Sequence, residues 1–412
     1  MRTRYRSAAV AAAALLALSG CTSNDGGTGS TAATIDSALL TPSGGKQTAA
    51  GAPISIGLIN DEGGSASSFP EIRIGVEAAL KYANDYLGGV DGRPVVLDSC
   101  DSKANSASSA ACANQMIADH VVAVLHGPES DGATTTQTLM NAGIPVISSA
   151  PASTPEMMGN LSFSLSGGAT AFIAALGEWM AEQNYKSSVL FAVDAPGGTT
   201  LYQSAVTYLQ KRGITTTLIP VAPGTADITP QMASALGHNP DFLWIVGDAG
   251  LCLSFMQAYR ASGSTAQIGL VGQCTDPQVT KVVSLDGAIS PQYATPLADH
   301  PEARLYRAVL NAYAPGTDHS GLAFVGYTMA LGTVRALHGL SGDITAETVA
   351  GAIRAARDVV LPVADGVTFT CDGKQVPPFP APCSDTVFVT RMDAKGNTTV
   401  LEKIRAASLF GG

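Results

Sequence analysis

From residue 53 onward, short apolar runs alternate along the chain with longer segments whose apolar residues recur at helical spacing. In the first such segment, the residues at 72, 76, 79, 83 and 86 form one stripe of a helix. Helices between buried strands are typical of right-handed crossovers, so the strands are predicted to be parallel. The predicted strands of this first unit are 54–59, 94–97, 121–125 and 144–147, and its helices are 71–86, 106–118 and 134–141.

The same alternation restarts after about residue 167, which predicts a second α/β unit in tandem with the first. Its expected helices are 169–183, 201–212, 228–236 and 253–261, and its strands are 188–193, 215–220, 242–246 and 268–271. Three more helices are expected at 302–314, 322–340 and 345–357, followed by short strands from 367 to 401. The predicted fold class is therefore α/β, with two doubly wound parallel sheets.

The first twenty residues have the pattern of an export signal. Arg2, Arg4 and Arg6 precede an apolar run from 8 to 18, and small residues then lead to Cys21. This run of roughly 11 residues is much shorter than the ~20 that a membrane-spanning helix needs, which argues against an uncleaved anchor. The sequence of residues 18–21, LSGC, resembles the lipobox of bacterial lipoproteins. We expect a signal peptide at 1–20, an acylated Cys21, and a flexible tether rich in small residues that ends at 52.

The charge of the chain argues against nucleic acid as a partner. The formal net charge is −10, and removal of the three arginines of the leader lowers it to −13. Such a chain is repelled by phosphate backbones and stays soluble. Nothing after Cys21 is apolar for long enough to span a bilayer, so the lipid is the membrane contact that we expect.

Seven cysteines become an even set of six once Cys21 is assigned to the lipid. In an exported chain, an even set predicts disulfides. Many connectivities are possible, and order along the chain favours three local pairs. The alternative is a metal site, but the sequence has no CxxC motif and no suitably spaced histidine. The favoured pairs are Cys100 with Cys112, Cys252 with Cys274, and Cys371 with Cys383.

Polar loops follow the predicted strands, and open parallel sheets bind ligands outside the carboxyl ends of their strands. Hydroxyls and backbone amides in such loops suit a carboxylate, and acidic side chains suit an ammonium group. The alternative interpretation of any single loop is an ordinary polar turn. The loops are 60–65, 126–132 and 148–155 in the first unit and 194–198, 247–250 and 273–276 in the second.

Catalytic and cofactor motifs are missing from the sequence. It contains no GxSxG, HExxH, P-loop or GxGxxG motif, and its histidines lack the spacing of metal ligands. Asp61 and Glu62 could act as an acid and a base, but no nucleophile or metal motif accompanies them. His126 lies beside a strand end and is interpreted as a structural residue. We expect no enzymatic activity, no cofactor and no metal.

The lipobox, the tether and the two α/β units together resemble the type I periplasmic solute-binding proteins of ABC transporters, most closely the branched-chain amino-acid (leucine/isoleucine/valine) binding family. The resemblance covers 53–405 and is clearest at 56–87, 98–115 and 143–156. It implies two lobes joined by a three-strand hinge that close on a ligand. The implied crossovers lie near 163–165, 288–290 and 367–369. Lobe 1 would comprise 53–164 and 290–366, and lobe 2 would comprise 165–289 and 367–412.

The resemblance also implies ligand contacts. Ser130 and Ser153 match hydroxyls that hold an amino acid's carboxylate in that family. The carbonyl of Ala152 and the side chain of Asp286 match groups that hold its ammonium. The acid of the family is usually one methylene longer than Asp286, so this aspartate would reach less far.

Two departures from the family affect the choice of ligand. Residues 196–198 replace a Tyr-Gly step, and Asp248 with Ala249 stands where another aromatic residue is often found. Loss of both rings argues against a branched aliphatic ligand, and Asp248 favours a more polar or cationic one. Asp248 therefore joins the predicted ligand contacts, which also include Asp61 in the loop after the first strand.

These features predict a lipid-anchored binding protein on the extracytoplasmic face of the membrane, which captures a small polar solute, an amino acid or a related compound. The expected partners are that solute, an ABC permease and the membrane, and the chain is expected to be a monomer. A ligand-sensing receptor without a transport partner is the alternative function.

Overall fold

The computed structural model describes residues 37–64, 68–129, 131–151, 153–194, 198–222 and 224–406. Lobe 1 is built on five parallel strands: β1 (Ile54–Asn60), β2 (Val95–Asp101), β3 (Val124–His126), β4 (Val146–Ser148) and β5 (Ser162–Ser164). Their order in the sheet is β2-β1-β3-β4-β5. β1, β3 and β4 occupy its centre and are almost wholly buried, as expected for a parallel sheet that is covered on both faces.

Helices cover both faces of the lobe 1 sheet. One face packs against apolar side chains of α2 (Pro70–Tyr86), α11 (Pro301–Tyr313), α12 (Ala323–Ala336) and α13 (Ala346–Ala355). The other face packs against α3 (Ser106–Ala118) and α4 (Gly132–Asn141). The short α5 (Thr154–Met158) links β4 to β5. A two-stranded ladder of β11 (Val359–Val360) and β12 (Thr368–Phe369) completes the lobe.

The backbones of α2 and α12 are in direct contact. Every residue of α12 is buried except Arg335, which is partly exposed. A Cβ atom added to Gly75 would lie 1.9 Å from the carbonyl oxygen of Ala323, and one added to Gly326 would lie 1.9 Å from that of Ile72. Only glycine permits this approach at both positions.

The predicted tether is shorter than expected. Residues 37–52 pack against lobe 1, starting with α1 (Ser37–Leu40), in which Leu40 is only 3% exposed. The amides of Gln47 and Ala49 donate to the carbonyls of Tyr86 and Asn84. The segment was expected to be a free tether because it is rich in small residues, but backbone hydrogen bonds need no large side chains. Cys21 and the rest of the predicted leader lie outside the described residues.

Lobe 2 is built on a seven-stranded sheet. Its strands are β6 (Ser187–Val193), β7 (Thr215–Val221), β8 (Phe242–Val246), β9 (Gln267–Gly269), β10 (Ile289–Gln292), β13 (Thr386–Met392) and β14 (Thr398–Arg405), in the order β14-β13-β10-β9-β8-β6-β7. The strands from β6 to β10 are parallel, while β13 and β14 form an antiparallel hairpin at one edge. Its helices are α6 (Gly168–Glu182), α7 (Gly198–Lys211), α8 (Thr229–Leu236), α9 (Ala249–Ser262) and α10 (Pro277–Thr280).

The chain passes three times between the hydrophobic cores of lobe 1 and those of lobe 2. Leu165 and Tyr293 belong to the lobe 1 core, whereas Ala171 and Ala288 belong to the cores of lobe 2. These pairs, with Ile289 also in a core of lobe 2, place the first crossing at 166–170 and the second at 290–292. The third lies between Cys383 and Val387 rather than at the expected 367–369, because Val367, Phe369, Cys371 and Cys383 all pack into lobe 1 and Val387 packs into lobe 2, although Phe388 of β13 still contacts the lobe 1 core.

Three disulfides are present, and their pairs are those that chain order favoured: Cys100–Cys112, Cys252–Cys274 and Cys371–Cys383. The last one closes a loop of the chain just before the third crossing. In the described ranges, no helix has both the length and the apolar character that crossing a membrane would require.

Candidate ligand-binding site

The carboxyl ends of the lobe 1 strands bring three polar side chains to one edge of the sheet. Asn60, His126 and Ser148 are the last residues of β1, β3 and β4. β3 lies between the other two strands, and His126 is paired in register with Ser148. All three residues are buried. This is the edge at which open parallel sheets bind ligands.

His126 lies between two carboxylates. Its Nε2 is 2.9 Å from Oε1 of Glu129, and its Nδ1 is 3.2 Å from Oε1 of Glu156 in α5. The side-chain exposure is 2% for His126, 0% for Glu129 and 10% for Glu156. A carboxylate accepts hydrogen bonds but cannot donate them, so both ring nitrogens carry a proton and the ring is an imidazolium. We call these three residues the His126 cluster.

The pKa values of the cluster agree with this charge assignment. Burial alone would lower the pKa of His126, but the hydrogen bonds to Glu129 and Glu156 outweigh it and raise that pKa to about 10. Burial would raise the pKa of Glu156, but the hydrogen bond from His126 outweighs it and lowers that pKa to about 2. Burial would also raise the pKa of Glu129, but the hydrogen bond from His126 and its positive charge outweigh burial and lower that pKa. One cation and two anions leave the cluster with a net negative charge at neutral pH.

Helix termini offset part of this charge. Glu129 lies just before α4, and the hydroxyls of Thr135 in α4 and Ser109 in α3 help to lower its pKa. Both hydroxyls belong to the first turns of their helices, where the macrodipole favours negative charge. Glu156 is the third residue of α5 and forms a capping box with Ser153.

Ser153 uses its donors inside the protein. Its backbone N–H and its hydroxyl donate to the same Oε2 of Glu156, at 2.9 and 2.7 Å. A serine hydroxyl has one proton, so this geometry leaves Ser153 Oγ with only acceptor capacity for a ligand. The expected role of Ser153 as a donor to a carboxylate does not match this arrangement, because Glu156 already supplies a carboxylate.

Ser130 and Ala152, the two other predicted contacts in lobe 1, lie outside the described residues. Their described neighbours Glu129, Asp131, Pro151 and Ser153 follow β3 and β4. The roles predicted for the two residues therefore stay predictions.

Asp61 is a buried acceptor for the loop that follows β2. It is 1% exposed, and its Oδ1 accepts hydrogen bonds from the hydroxyl of Ser102 at 2.6 Å and from the amide of Ala104 at 2.9 Å. The neighbouring Glu62 accepts from Arg73 at 2.9 Å. The side chain of Asp61 thus positions the adjoining loop.

Aspartates that are at least partly exposed follow three strands of lobe 2. Asp194 and Asp248 follow β6 and β8 and are exposed, and the half-buried Asp276 follows β9. Asp248 is the N-cap of α9, where it accepts from the amide of Leu251 at 2.8 Å, and Asp276 caps α10 in the same way. Each aspartate keeps a second carboxylate oxygen that these capping bonds do not use.

Asp286 lies at the opposite edge of the lobe 2 sheet. It comes before β10, which runs parallel to β9, so it is beside the amino ends of these strands. Gln267, the first residue of β9, donates its side-chain N–H to the carbonyl of Gly287 at 2.8 Å. This placement separates Asp286 from the loops at the carboxyl ends and does not fit its expected role in holding a ligand's ammonium.

A cavity of about 540 Å³ lies between α7 and the ends of β6 and β7. Its lining is mainly apolar, with Asp194 among the polar residues that border it. Ligand pockets of this kind are usually lined by apolar side chains with a few polar groups. Among the residues that the structure describes, no group of three or more histidine, cysteine or acidic side chains is placed to hold a metal ion.

Sequence reasoning missed Glu129 and Glu156 as site residues. Ser153 and Glu156 have the three-residue spacing of a capping box, which is readable from the sequence. The sequence does not predict that His126 contacts both acids. Glu156 is 30 positions away from His126, and the two residues meet only because β3 pairs with β4.

Comparison with protein families matches residues 53–397 to a model described as periplasmic binding protein. No curated protein sequence matches the chain. Many solved structures share its fold. One is a leucine-binding protein from Thermotoga maritima, with a TM-score of 0.71 at 17% identity, covering 85% of this chain and 99% of that one.

Two other similar structures are described with different solutes. A fatty acid ABC transporter substrate-binding protein from Thermomonospora curvata has a TM-score of 0.72 at 16% identity, covering 89% of this chain and 97% of that one. An ABC transporter solute-binding protein from R. palustris, in complex with 4-hydroxybenzoate, has a TM-score of 0.71 at 16% identity, covering 86% and 97%. At these identities the likeness shows the fold.

Proposed function

The chain belongs to the periplasmic binding protein family, a class of solute-binding proteins rather than enzymes, and from this premise we propose that it captures an amino acid or a related small polar compound for an ABC importer while anchored to the membrane by a lipid on Cys21. An extracytoplasmic solute-binding protein that works with an ABC transporter is what the family itself implies. The class of solute and the anchor are our additions.

The three crossings between the lobes carry the proposal. Segments of a few residues at 166–170, 290–292 and 384–386 join the cores of lobe 1 to those of lobe 2. Short connections of this kind let two rigid bodies rotate toward each other around a bound solute. A solute that contacts both lobes stabilises the closed arrangement, which is the form that a permease would receive.

The solute contacts that we propose lie in the loops at the carboxyl ends of the strands. They are Ser130 and Ala152 in lobe 1, Ser153 beside them as an acceptor only, and Asp248 in lobe 2. Asp61 contributes through the loop that it holds, and Asp286 is left out because of its place at the amino ends. The similar structures are described with leucine, fatty acid and 4-hydroxybenzoate, so side chains rather than the fold select the solute.

Binding can be tested without knowledge of the solute. A thermal-shift screen over amino acids, amines, amides and small organic acids should raise the Tm for one group of compounds, because a ligand that binds only the folded state stabilises it. Small-angle scattering with the best compound should then show a smaller radius of gyration. A best compound that raises the Tm without compaction would contradict closure by hinge motion.

The lipid anchor has its own test. Expression in a bacterial host with a labelled fatty acid should label the protein, and Cys21→Ser should abolish the label. Cys100→Ser together with Cys112→Ser, which removes two cysteines of the folded body, is the control that should keep the label. Labelling of the Cys21→Ser variant would contradict the proposed anchor.

A further inference from the structure

We propose that lobe 2 holds a second small-molecule site, in the cavity between α7 and the ends of β6 and β7, which takes an uncharged aromatic compound with one hydroxyl or N–H group. The site goes beyond the proposed function, because the residues that line the cavity are not among the solute contacts proposed above. The described residues of its lining all fall within 192–220. The cavity therefore belongs to one lobe, and its occupation does not depend on closure.

The cavity exists because one layer of the sheet under α7 has small side chains. β6 and β7 pair in parallel, with Leu190 opposite Leu218. Two residues further along each strand, on the same face of the sheet, Ala192 is opposite Pro220. Ala192 is buried and carries only a methyl group, and the ring of Pro220 is more compact than a leucine side chain. Space therefore remains between this layer and the helix.

α7 packs tightly at one end and borders the cavity nearer its start. Its Leu209 is wholly buried, and a Cβ atom added to Gly177 of α6 would lie 2.5 Å from Cδ2 of this leucine. Tyr202 and Val206 come earlier in the helix, line the cavity and are only partly buried. The contact of Leu209 with α6 fixes the helix, so the helix cannot simply collapse onto the small layer of the sheet.

The volume and the walls of the cavity set the size and polarity of its ligand. The volume of about 540 Å³ lies within the range of about 300–1,000 Å³ that is usual for small-molecule sites. An engineered apolar cavity of about 150 Å³ binds benzene, so this one has room for a substituted aromatic ring. Ala192, Val206 and Leu218 give it apolar walls, from which an apolar ligand is expected to displace water.

Tyr202 gives the cavity a hydrogen-bonding group. Burial raises the pKa of Tyr202, and among the described residues its hydroxyl has no hydrogen-bond partner. A tyrosine hydroxyl that is removed from water usually has a partner, because an unpaired polar group costs free energy. A ligand with a hydroxyl or N–H group supplies that partner, and an aromatic ligand can also pack against the tyrosine ring.

The charges at the border of the cavity favour an uncharged ligand. Asp194 is exposed after the end of β6 and borders the cavity. The lining that the structure describes contains no lysine, arginine or histidine. A carboxylate in the cavity would meet a like charge without a counter-ion, and an ammonium ion against the apolar walls would lose its hydration. An uncharged compound has neither cost.

The cavity is open to solvent at the edge of lobe 2. Gln203, Thr207 and Pro220 border the cavity and are exposed, and β7 is the outermost strand of its sheet. A ligand can therefore enter from this edge whether the two lobes are apart or closed.

Three compounds of similar shape test the class of ligand. 4-Ethylphenol carries a hydroxyl, ethylbenzene lacks it, and 4-ethylbenzoate has a carboxylate in its place. Titrations followed by ligand-observed NMR measure each affinity. 4-Ethylphenol should bind about fivefold more tightly than ethylbenzene, because it pairs with the tyrosine hydroxyl, and 4-ethylbenzoate should bind most weakly. Equal affinities of 4-ethylphenol and ethylbenzene, or tightest binding of 4-ethylbenzoate, would overturn this class of ligand.

Matched variants test whether the compound binds in the cavity. Val206→Phe fills the cavity with a ring and should abolish binding of 4-ethylphenol. Gln210→Phe is the control, because it adds the same ring at an exposed position of α7 and should leave the affinity unchanged. Should Val206→Phe fail to fold, Ala192→Leu fills the cavity from the sheet. Tyr202→Phe should lower the affinity of 4-ethylphenol to that of ethylbenzene without changing that of ethylbenzene, a selective loss that general damage to the fold would not produce.

A variant in the solute loops separates this site from the proposed solute site. Asp248 caps α9 and is not among the residues that line the cavity, so Asp248→Asn should leave the affinity of 4-ethylphenol unchanged. Equal losses in Asp248→Asn and Val206→Phe, or in Gln210→Phe and Val206→Phe, would overturn the second site. Failure of all three compounds to bind would overturn it as well, and would leave the proposed capture of a solute in place.

Discussion

The backbone N–H of Cys383 donates to the carbonyl of Ser164 at 2.7 Å, and this bond joins the two lobe 1 segments that lead into the first and third crossings of the chain between the lobes. The amide of Ser164 in turn donates to the carbonyl of Ala381 at 2.9 Å. Cys383 is also disulfide-bonded to Cys371. A covalent loop therefore braces two of the three hinge segments at the point where they lie side by side.

Removal of this disulfide should affect solute binding as well as stability. The double variant Cys371→Ser/Cys383→Ser should lose about 3 kcal/mol of unfolding free energy, the usual effect of opening a loop of this length. It should also change the solute affinity, because Ser164 and Cys383 lie directly before the first and third crossings. Denaturant unfolding and titration calorimetry measure the two effects.

The Cys100–Cys112 disulfide is the matched control, since its sequence separation is also 12 and it joins β2 to α3 within lobe 1. Its double serine variant should lose similar stability but keep the affinity. Equal changes of affinity in both variants would contradict a specific role of Cys371–Cys383 at the hinge.

Replacement of His126 should be strongly destabilising. His126→Gln removes the cation between Glu129 and Glu156 and leaves two buried carboxylates without compensation, which should cost about 3–5 kcal/mol of unfolding free energy. The measurement is urea unfolding at pH 7. His238→Gln, at an exposed histidine, should change the free energy of unfolding by less than about 0.5 kcal/mol. A loss below about 1 kcal/mol for His126→Gln would mean that the cluster is not a charged one.

The His126 cluster should limit stability at both ends of the pH scale. The folded pKa of Glu156 is lowered from 4.5 to about 2, so its contribution is fully present above pH 4.5 and is lost as the pH falls through about 2. The folded pKa of His126 is raised from 6.5 to about 10, so its contribution is fully present below pH 6.5 and is lost as the pH rises through about 10. Unfolding free energies between pH 3 and pH 10 should therefore be highest from about 4.5 to 6.5.

The variant Glu156→Gln checks the origin of this dependence. It removes one partner of His126, so the fall in stability on the acid side and part of the fall on the alkaline side should become smaller. A profile with the same two slopes as the parent would assign the pH dependence to other groups.

Contact between α2 and α12 should make Gly326 intolerant of a side chain. The Cβ atom of Gly326→Ala would lie 1.9 Å from the carbonyl oxygen of Ile72, so the helices must separate, at a cost of about 3 kcal/mol. Gly351→Ala is the control. Gly351 lies in α13 with open space around it, and alanine should stabilise that helix by up to about 1 kcal/mol. Thermal unfolding measures both, and destabilisation by both substitutions would contradict this explanation.

The strands at the centre of each sheet were predictable from the sequence because their apolar runs are bounded by turn residues. Residues 54–59 and 242–246, for example, became β1 and β8 almost unchanged. The third crossing was not predictable. A strand such as Thr368–Phe369 has the same local pattern in either lobe, and only its long-range packing with Cys371 and Cys383 places it in lobe 1.

Two site residues show what further reasoning could have found. Asp286 precedes β10, and a residue before a strand that is parallel to its neighbours lies at the amino-end edge of the sheet. The resemblance implied only a crossover near 288–290 at this point, and an interpretation of it as a strand parallel to 268–271 would have given this placement. The three-residue spacing of Ser153 and Glu156 could have predicted that the donors of Ser153 bind Glu156. The contact of His126 with Glu156 could not have been predicted, because it depends on the register of β3 with β4.

The packing of residues 37–52 has a mechanical consequence for a chain that is held by its N-terminus. These residues end at the start of β1, and Gln47 is bonded to Tyr86 at the last turn of α2, which puts their attachment on the amino-end side of lobe 1. With the lipid that we propose on Cys21, a pull from the membrane would reach lobe 1 first, at the side away from the solute loops. Lobe 2 would then be the half of the molecule that swings.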